Sequence, residues 1–170
     1  MFFATTPHYL NQVPTNLVHL GPGDGIEIPY LFETFKPGKN TRYAGVDISR
    51  QMLINPAALN GYHLSGINPL WYLTDIETSE NLKQVCKDVK NKGSDRNLIL
   101  LIGQGVLNSN PATLENIFQS MDDKDNLCLT SYKPSKNNLA ERLNHHSFHI
   151  LYSRFYEDIH TFAVLCKKGG

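Results

Sequence analysis

Residues Asn16 to Leu20 form a short apolar run that breaks on Gly21, Gly23 and Gly25, and a helical pattern follows from Ile26 to Phe35. Few folds accommodate that succession. A strand that turns on glycines into a helix exposes backbone N–H groups at the helix N-terminus. Glycine also lets the chain take positive φ and lets a ligand approach the backbone closely. The stretch therefore reads as a loop for a nucleotide-type ligand. Its spacing is G-x-G-x-G, which differs from the G-x-G-x-x-G dinucleotide fingerprint and from G-x-x-x-x-G-K-[ST]. Pro29 falls in the first helical turn, where a missing N–H costs little. Glu27, near the same N-terminus, is favoured by the helix dipole. His19 sits in the strand, where a lone histidine is most simply a hydrogen-bonded core residue.

Strands and helices alternate downstream. Arg42 to Asp47 reads as a second strand, and about Ser49 to Leu59 as a helix with Pro56 as a point of breakage. Leu70 to Leu73 is a third strand. The helix from Ser79 to about Lys90 sets Leu82, Val85, Cys86 and Val89 on one face. Asn97 to Gly103 is the most hydrophobic segment, and a continuous apolar run of that length fits a central parallel strand covered on both faces. Pro111 opens a helix with Leu114, Ile117, Phe118 and Met121 on one side. Leu127 to Ser131 is a fifth strand, and Asn137 to Leu143 a short helix. Phe148 to Phe155 and Ile159 to Cys166 are two strands joined at Glu157 and Asp158, a terminal hairpin. Such alternation predicts an α/β fold, a parallel sheet with helices on both faces. Residues 16–166 form its core, residues 1–15 an N-terminal arm with Pro7 and Pro14 as breakers, and 1–170 a single domain. In the arm, Tyr9 and Leu10 either cover one end of the core or close over a ligand.

Charge and composition exclude several classes. The formal net charge is zero, so no electrostatic footprint exists for long nucleic acid or a membrane surface. No run approaches the roughly 18 apolar residues of a membrane span. Met1 to Thr5 lacks the basic region of a signal peptide. Cys86, Cys128 and Cys166 are far apart and form no C-x-x-C pair. That spacing argues against zinc and for a reducing, cytoplasmic setting.

In a sheet of this kind, ligands bind at the carboxyl ends of the strands beside strand one. Asp47 ends strand two about 22 positions after Gly25, one helix and one turn later. There it can accept both hydroxyls of a ribose, or it can cap the following helix. Strand three ends in Thr74-Asp75-Ile76-Glu77. Asp75 there suits an adenine amino group, and equally Asp75 or Glu77 could cap the helix that starts near Ser79. His145, His146 and His149 cluster before the hairpin, as a solvated turn or as a general base or metal group.

Several stretches resemble the class I S-adenosylmethionine-dependent methyltransferases. Val18-His-Leu-Gly-Pro-Gly-Asp-Gly25 looks like that family's first motif, with His19 in place of its usual acidic residue. Tyr43 to Ser49 looks like the second, with Asp47 in the ribose position, and Leu73 to Ile76 like the third. A narrower resemblance joins the L-G-P-G-D-G loop, V-D-I-S and Leu100 to Pro111 to the histidine-specific methyltransferases of the ergothioneine pathway. That resemblance spans roughly Leu17 to Tyr132.

The resemblance implies a doubly wound Rossmann-like sheet of seven strands, order 3-2-1-4-5-7-6, the last antiparallel. It implies S-adenosylmethionine as cofactor, bound by the loop residues Gly21, Pro22, Gly23, Asp24 and Gly25. Asp47 and Ile48 would hold the ribose side, and Asp75 and Ile76 the adenine. Gly103 and Gln104 would close the site after strand four. Asn108, on the family's substrate-contacting asparagine, and Tyr132 after strand five would meet the acceptor.

Methyl transfer from a sulfonium needs alignment and exclusion of water, with no metal and no universal catalytic residue, so no catalytic residue is assigned. The family is about twice as long and carries an extra substrate domain. Its last strand has a glutamate that reads imidazole, and Ile159 to Cys166 has none, which points away from histidine as acceptor. Asn108-Ser-Asn-Pro111 lacks the second proline and aromatic residue of amino-group DNA methyltransferases. A neutral rim of Gln104, Asn108, Asn110 and Tyr132 suits a small-molecule or amino-acid-like acceptor. The alternative is a catalytically inactive module that retains the fold for binding or regulation. A nicotinamide enzyme is disfavoured by the glycine spacing and the terminal hairpin.

Overall fold

The computed structural model describes residues 15–35, 40–59, 66, 69–102, 112–132, 141, 143–156 and 161–169. Strands β1 (Asn16–Leu20), β2 (Tyr43–Asp47), β3 (Leu70–Leu73), β4 (Asn97–Leu101), β5 (Asn126–Tyr132), β6 (Phe148–Tyr156) and β7 (Thr161–Lys168) form one sheet. Helices α1 (Ile28–Phe35), α2 (Arg50–Leu59), α3 (Ser79–Lys92) and α4 (Ala112–Ser120) join its parallel part. The order is β3-β2-β1-β4-β5-β7-β6, as expected. Strands β1 to β5 run parallel, and β7 is antiparallel to both β5 and β6. The expected short helix at Asn137 to Leu143 falls mostly outside the described residues, although Glu141 and Leu143 to His145 are helical.

Both faces of the central strands are covered, which explains their continuous apolar sequence. Val18, Leu20, Ala44, Val46, Ile99 and Leu101 pack against Leu82, Val85 and Val89 of α3 and Leu114 and Ile117 of α4. Their odd-and-even counterparts Leu17, Tyr43, Leu98 and Leu100 pack against Ile28 and Leu31 of α1. Strand periodicity thus sorts alternate residues into two cores. On the α1 face Trp71 of β3 lies across β2 at Gly45. A Cβ added to Gly45 would stand 2.4 Å from Trp71 Cζ3. Trp71 in turn packs edge-on against Tyr43, with ring centroids 5.7 Å apart.

Several boundaries differ from expectation, among them β7, which runs Thr161–Lys168 rather than Ile159 to Cys166. Helix α1 starts at Ile28 rather than Ile26, because the Ile26 N–H is taken by Asp24 Oδ1 at 3.2 Å. Helix α2 runs to Leu59 with Pro56 inside it, unbroken. Pro56 is buried, and that burial offsets the one ladder bond its ring removes.

The amino edge of the sheet is cross-linked by polar side chains. Asn16 Oδ1 accepts from Arg42 N–H (3.0 Å) and Ser94 N–H (2.9 Å). Its Nδ2 donates to Ser94 O (2.7 Å) and to Asn97 Oδ1 (3.1 Å). Asn97 N–H donates to the buried Asp125 at 2.8 Å, and Lys90 Nζ lies 2.8 Å from the same carboxylate. Every one of these buried polar groups is paired, which is the condition for burying them at all.

Candidate functional site

The opposite, carboxyl edge is built differently. β1 runs into a turn where Gly21, Gly23 and Gly25 hold φ of 62°, 57° and 76°. A side chain at any of them would be strained, so the loop's spacing follows from its conformation. Gly21 N–H donates to Val46 O at 2.8 Å and Gly25 N–H to Pro22 O at 2.9 Å. A Cβ on Gly23 would meet nothing within 4 Å among the described residues, so this glycine faces open space. Pro22 and Gly25 are buried, while Asp24 is exposed.

Three acids at this edge fold their own turns. Asp24 Oδ1 accepts from Ile26 N–H at 3.2 Å, Asp47 Oδ1 from Ser49 N–H at 2.7 Å, and Asp75 Oδ1 from Glu77 N–H at 2.8 Å. Each bond reaches two residues on, the local side-chain turn that aspartate forms readily. In each case Oδ2 has no hydrogen bond among the described residues. At Asp47 one oxygen organises the chain, and the other has no partner among the described residues. Asp75 is no helix cap, since Thr78 occupies the N-cap position of α3. Thr74 N–H donates to Asp47 O at 2.9 Å, which keeps the ends of β2 and β3 level.

The other expected residues divide. Ile48, beside Asp47, is 71% exposed, an apolar side chain left at the rim. Ile76 packs against the α3–α4 core rather than standing clear. Gly103, Gln104 and Asn108 lie outside the described residues. Tyr132 ends β5, but its side chain lies outside them as well. Tyr9 and Leu10 of the arm are also outside.

Beneath the glycine loop, His19 is buried, with Nδ1 3.0 Å from the Tyr43 hydroxyl. Burial pulls its pKa down to about 4, so the ring is neutral at neutral pH, and its tautomer sets which of the pair donates. Burial, then the charge of Glu27, push the Tyr43 phenol upward. Glu27 itself is half-buried in the turn that precedes α1. Burial is also the first cause that raises its carboxyl; a backbone hydrogen bond opposes, and the neighbouring charge of Asp24 adds. Among the described residues no cation pairs with Asp24 or Glu27. Glu27 was legible only as a helix-dipole residue; its position two residues beyond Gly25 without a basic neighbour is the signal that marks it.

The histidine cluster sits elsewhere. His146 Nδ1 lies 2.8 Å from Glu115, and His145 packs edge-on against His146. Both precede β6, whose first residue Phe148 pairs with Lys168, while Lys167 pairs with Asn126 at the start of β5. That is the amino edge, away from the glycine loop. Among the described residues no cluster of His, Cys, Asp or Glu could hold a metal ion.

At this edge a turn of three positive-φ glycines stands beside the end of β2, where Asp47 Oδ2 has no hydrogen bond among the described residues. A family model described as histidine-specific methyltransferase, SAM-dependent, matches residues 4–153. No curated protein matches the sequence. Among solved structures the chain is similar to a SAM-dependent methyltransferase from Anabaena variabilis, with a TM-score of 0.64 and 15% identity over 95% of this chain and 81% of that one. It is similar to another from Aquifex aeolicus, with a TM-score of 0.63 and 12% identity over 97% and 90% of the two chains. A TehB-like SAM-dependent methyltransferase from Corynebacterium glutamicum gives 0.61 and 10% identity over 98% and 86%. At such identities these likenesses show the fold.

Proposed function

Since the chain belongs to the histidine-specific, SAM-dependent methyltransferase family, we propose that it transfers the methyl group of S-adenosylmethionine to a small-molecule or amino-acid-like acceptor. The observation that carries this reading is the positive-φ glycine loop set beside Asp47, whose Oδ2 has no hydrogen bond among the described residues. Gly21 to Gly25 bring backbone close to the cofactor, Asp47 holds the ribose, and Ile48 covers the base from the rim. Asp75, with one oxygen free, meets the adenine amino group. Ile76 acts through the core behind that turn. Gly103 and Gln104 close the site after β4, and Asn108 and Tyr132 meet the acceptor.

The cofactor supplies an activated methyl carbon. Held by Gly21 to Gly25 and Asp47, it would offer that carbon to the acceptor's lone pair, the sulfur keeping the electron pair of the carbon–sulfur bond and the acceptor giving up a proton. The chain's contribution is alignment and the exclusion of water. The stretch Ile159 to Cys166 carries no glutamate to read an imidazole. The acceptor assigned is therefore a class, amino-acid-like or small and neutral-rimmed, rather than histidine. Cys86, Cys128 and Cys166 are free and buried, which suits a reducing cytoplasm. Among the described residues no helix is long and apolar enough to cross a membrane.

Transfer of labelled methyl from S-adenosylmethionine across a panel of amino acids and small amines tests the proposal. Label appearing in a product supports it. Tight binding of S-adenosylhomocysteine with no transfer to any acceptor in the panel, histidine included, would count against it.

A further inference from the structure

The turn that carries Asp75 is held from two sides, and one of those holds comes from another part of the sheet. Thr78, at the N-cap position of α3, makes no side-chain cap bond, so the entry to that helix lacks its usual fastening. Within the turn, Asp75 Oδ1 accepts from Glu77 N–H at 2.8 Å and Asp75 O from Thr78 N–H at 3.4 Å. The ladder of α3 begins at Thr78, whose carbonyl accepts from Leu82 N–H at 3.3 Å. The Glu77 carbonyl stands just outside that ladder, and it accepts instead from Asn116 Nδ2 of α4. Glu77 is thus held at its N–H by Asp75 and at its C=O by Asn116. Ser120, one turn further along α4, repeats the tie, with Oγ 3.2 Å from Ser79 O. Ile76, inside the turn, packs against the core that holds Leu114 and Ile117 of α4.

The two tied elements are distant in the sheet. The turn follows β3, α4 follows β4, and β2 and β1 lie between those strands. A helix leaving the centre of the sheet therefore sets a turn at its edge. Asp75 Oδ1 is fixed by Glu77 N–H, and Oδ2 has no hydrogen bond among the described residues. Whatever holds Glu77 therefore orients the carboxylate and the direction in which Oδ2 points. A carboxylate oxygen accepts from an exocyclic amine; a ring carbonyl in the same position brings only lone pairs and is rejected. We propose that Asn116 is a positioning residue for the Asp75 carboxylate, and that its tie to Glu77 sets the preference of the site for a 6-amino over a 6-oxo purine. This rests on the reading above that Asp75 meets the adenine amino group of the cofactor.

Calorimetric titration with S-adenosylhomocysteine and its deaminated analogue, S-inosylhomocysteine, tests it. The unaltered protein should prefer the 6-amino compound by about tenfold or more. Asn116→Ala should cut that preference by about fivefold, and Asn116→Asp, equal in size but without the N–H donor, at least as much. A purely structural role would lower the melting temperature of these variants and leave the preference intact. In an Asp75→Ala background, Asn116→Ala should not change the remaining preference. A preference that survives Asn116→Ala, or one that falls by the same factor with and without the Asp75 carboxylate, overturns the assignment. Asp75→Ala by itself separates the two levels. If it abolishes the preference while Asn116→Ala does not, Asp75 keeps its place on the adenine and Asn116 loses its role. If it leaves the preference intact, both residues lose their roles, while binding of S-adenosylhomocysteine still supports the cofactor site. If the unaltered protein binds neither compound, the site and the role of Asn116 fall together.

Discussion

Nδ1 of His19 lies 3.0 Å from the hydroxyl of Tyr43, a buried contact between neighbouring parallel strands directly under the glycine loop. Burial lowers His19 from the ordinary 6.5 to about 4. The unfolded chain therefore takes up a proton near pH 6.5, and the folded chain only near pH 4. Stability from this group is fully present above pH 6.5 and is lost as the pH falls towards 4, on the order of 3 kcal/mol in total. Urea denaturation at pH 7, 5.5 and 4 should show that loss in the unaltered protein and a shallower one in His19→Phe. Parallel pH profiles would refute the assignment.

Gly45 is a steric requirement imposed by Trp71. With a Cβ only 2.4 Å from Cζ3, Gly45→Ala forces the indole off β2. Overpacking of this kind costs about 1–3 kcal/mol. In a Trp71→Ala background the same substitution should cost much less. Equal costs in both backgrounds, measured by chemical denaturation, would show that the strain lies elsewhere.

Lys90 holds two carboxylates, Asp122 at 2.5 Å and the buried Asp125 at 2.8 Å. The pair with Asp125 faces opposing pulls: burial raises the carboxyl, while Lys90 and the Asn97 backbone bond favour its charge. With Lys90 present we take Asp125 as ionised, because its oxygens accept from Lys90, Asn97 N–H and Asp122 N–H. Lys90→Met removes the cation and strands the buried acid, at a cost of about 3–5 kcal/mol. Melting of that variant should recover partly at low pH, where the stranded acid takes a proton. A loss below about 1 kcal/mol would mean that the pair is as weak as an exposed surface bridge.

Asp47→Ala should weaken S-adenosylhomocysteine binding by about 1.5–3 kcal/mol, the range for hydrogen bonds to a charged group. Asp47→Asn keeps the turn-forming oxygen and should cost less. An alanine variant that binds as tightly as the unaltered protein would remove Asp47 from the site.

Asn108→Ala addresses the acceptor. If Asn108 orients the acceptor, turnover falls while cofactor affinity and melting temperature hold. A drop in stability alone would leave Asn108 as a cap for the helix that follows.

The fold was legible because its signals are local or periodic. The apolar runs at Asn16–Leu20 and Asn97–Leu101 are buried on both faces, and the glycine spacing maps onto three positive φ angles. What escaped has long-range causes. Asn16 was given no role of its own, since two of its partners, Ser94 and Asn97, lie 78 and 81 positions away. Ile76 follows an acidic turn and looks like a rim residue, yet packing against α3 and α4 draws it inward. Glu27 is explained locally by the helix dipole, while its half-burial depends on how the rest of the chain packs around that turn. The expected acceptor residues after β4 lie outside the described residues.

Asn16 and Asn97 are register partners, bonded side chain to side chain at the first rung shared by β1 and β4. A slip of one residue would part them and turn every side chain of β1 to the wrong face. The two strands then climb together through four further rungs, about 13 Å at the usual rise. The level at which β1 gives way to its glycines, relative to the turn leaving β4, is measured off from that amide pair like marks on a ruler. A methyl donor resting on one strand end and an acceptor entering over the other would inherit their spacing from a bond at the far side of the sheet.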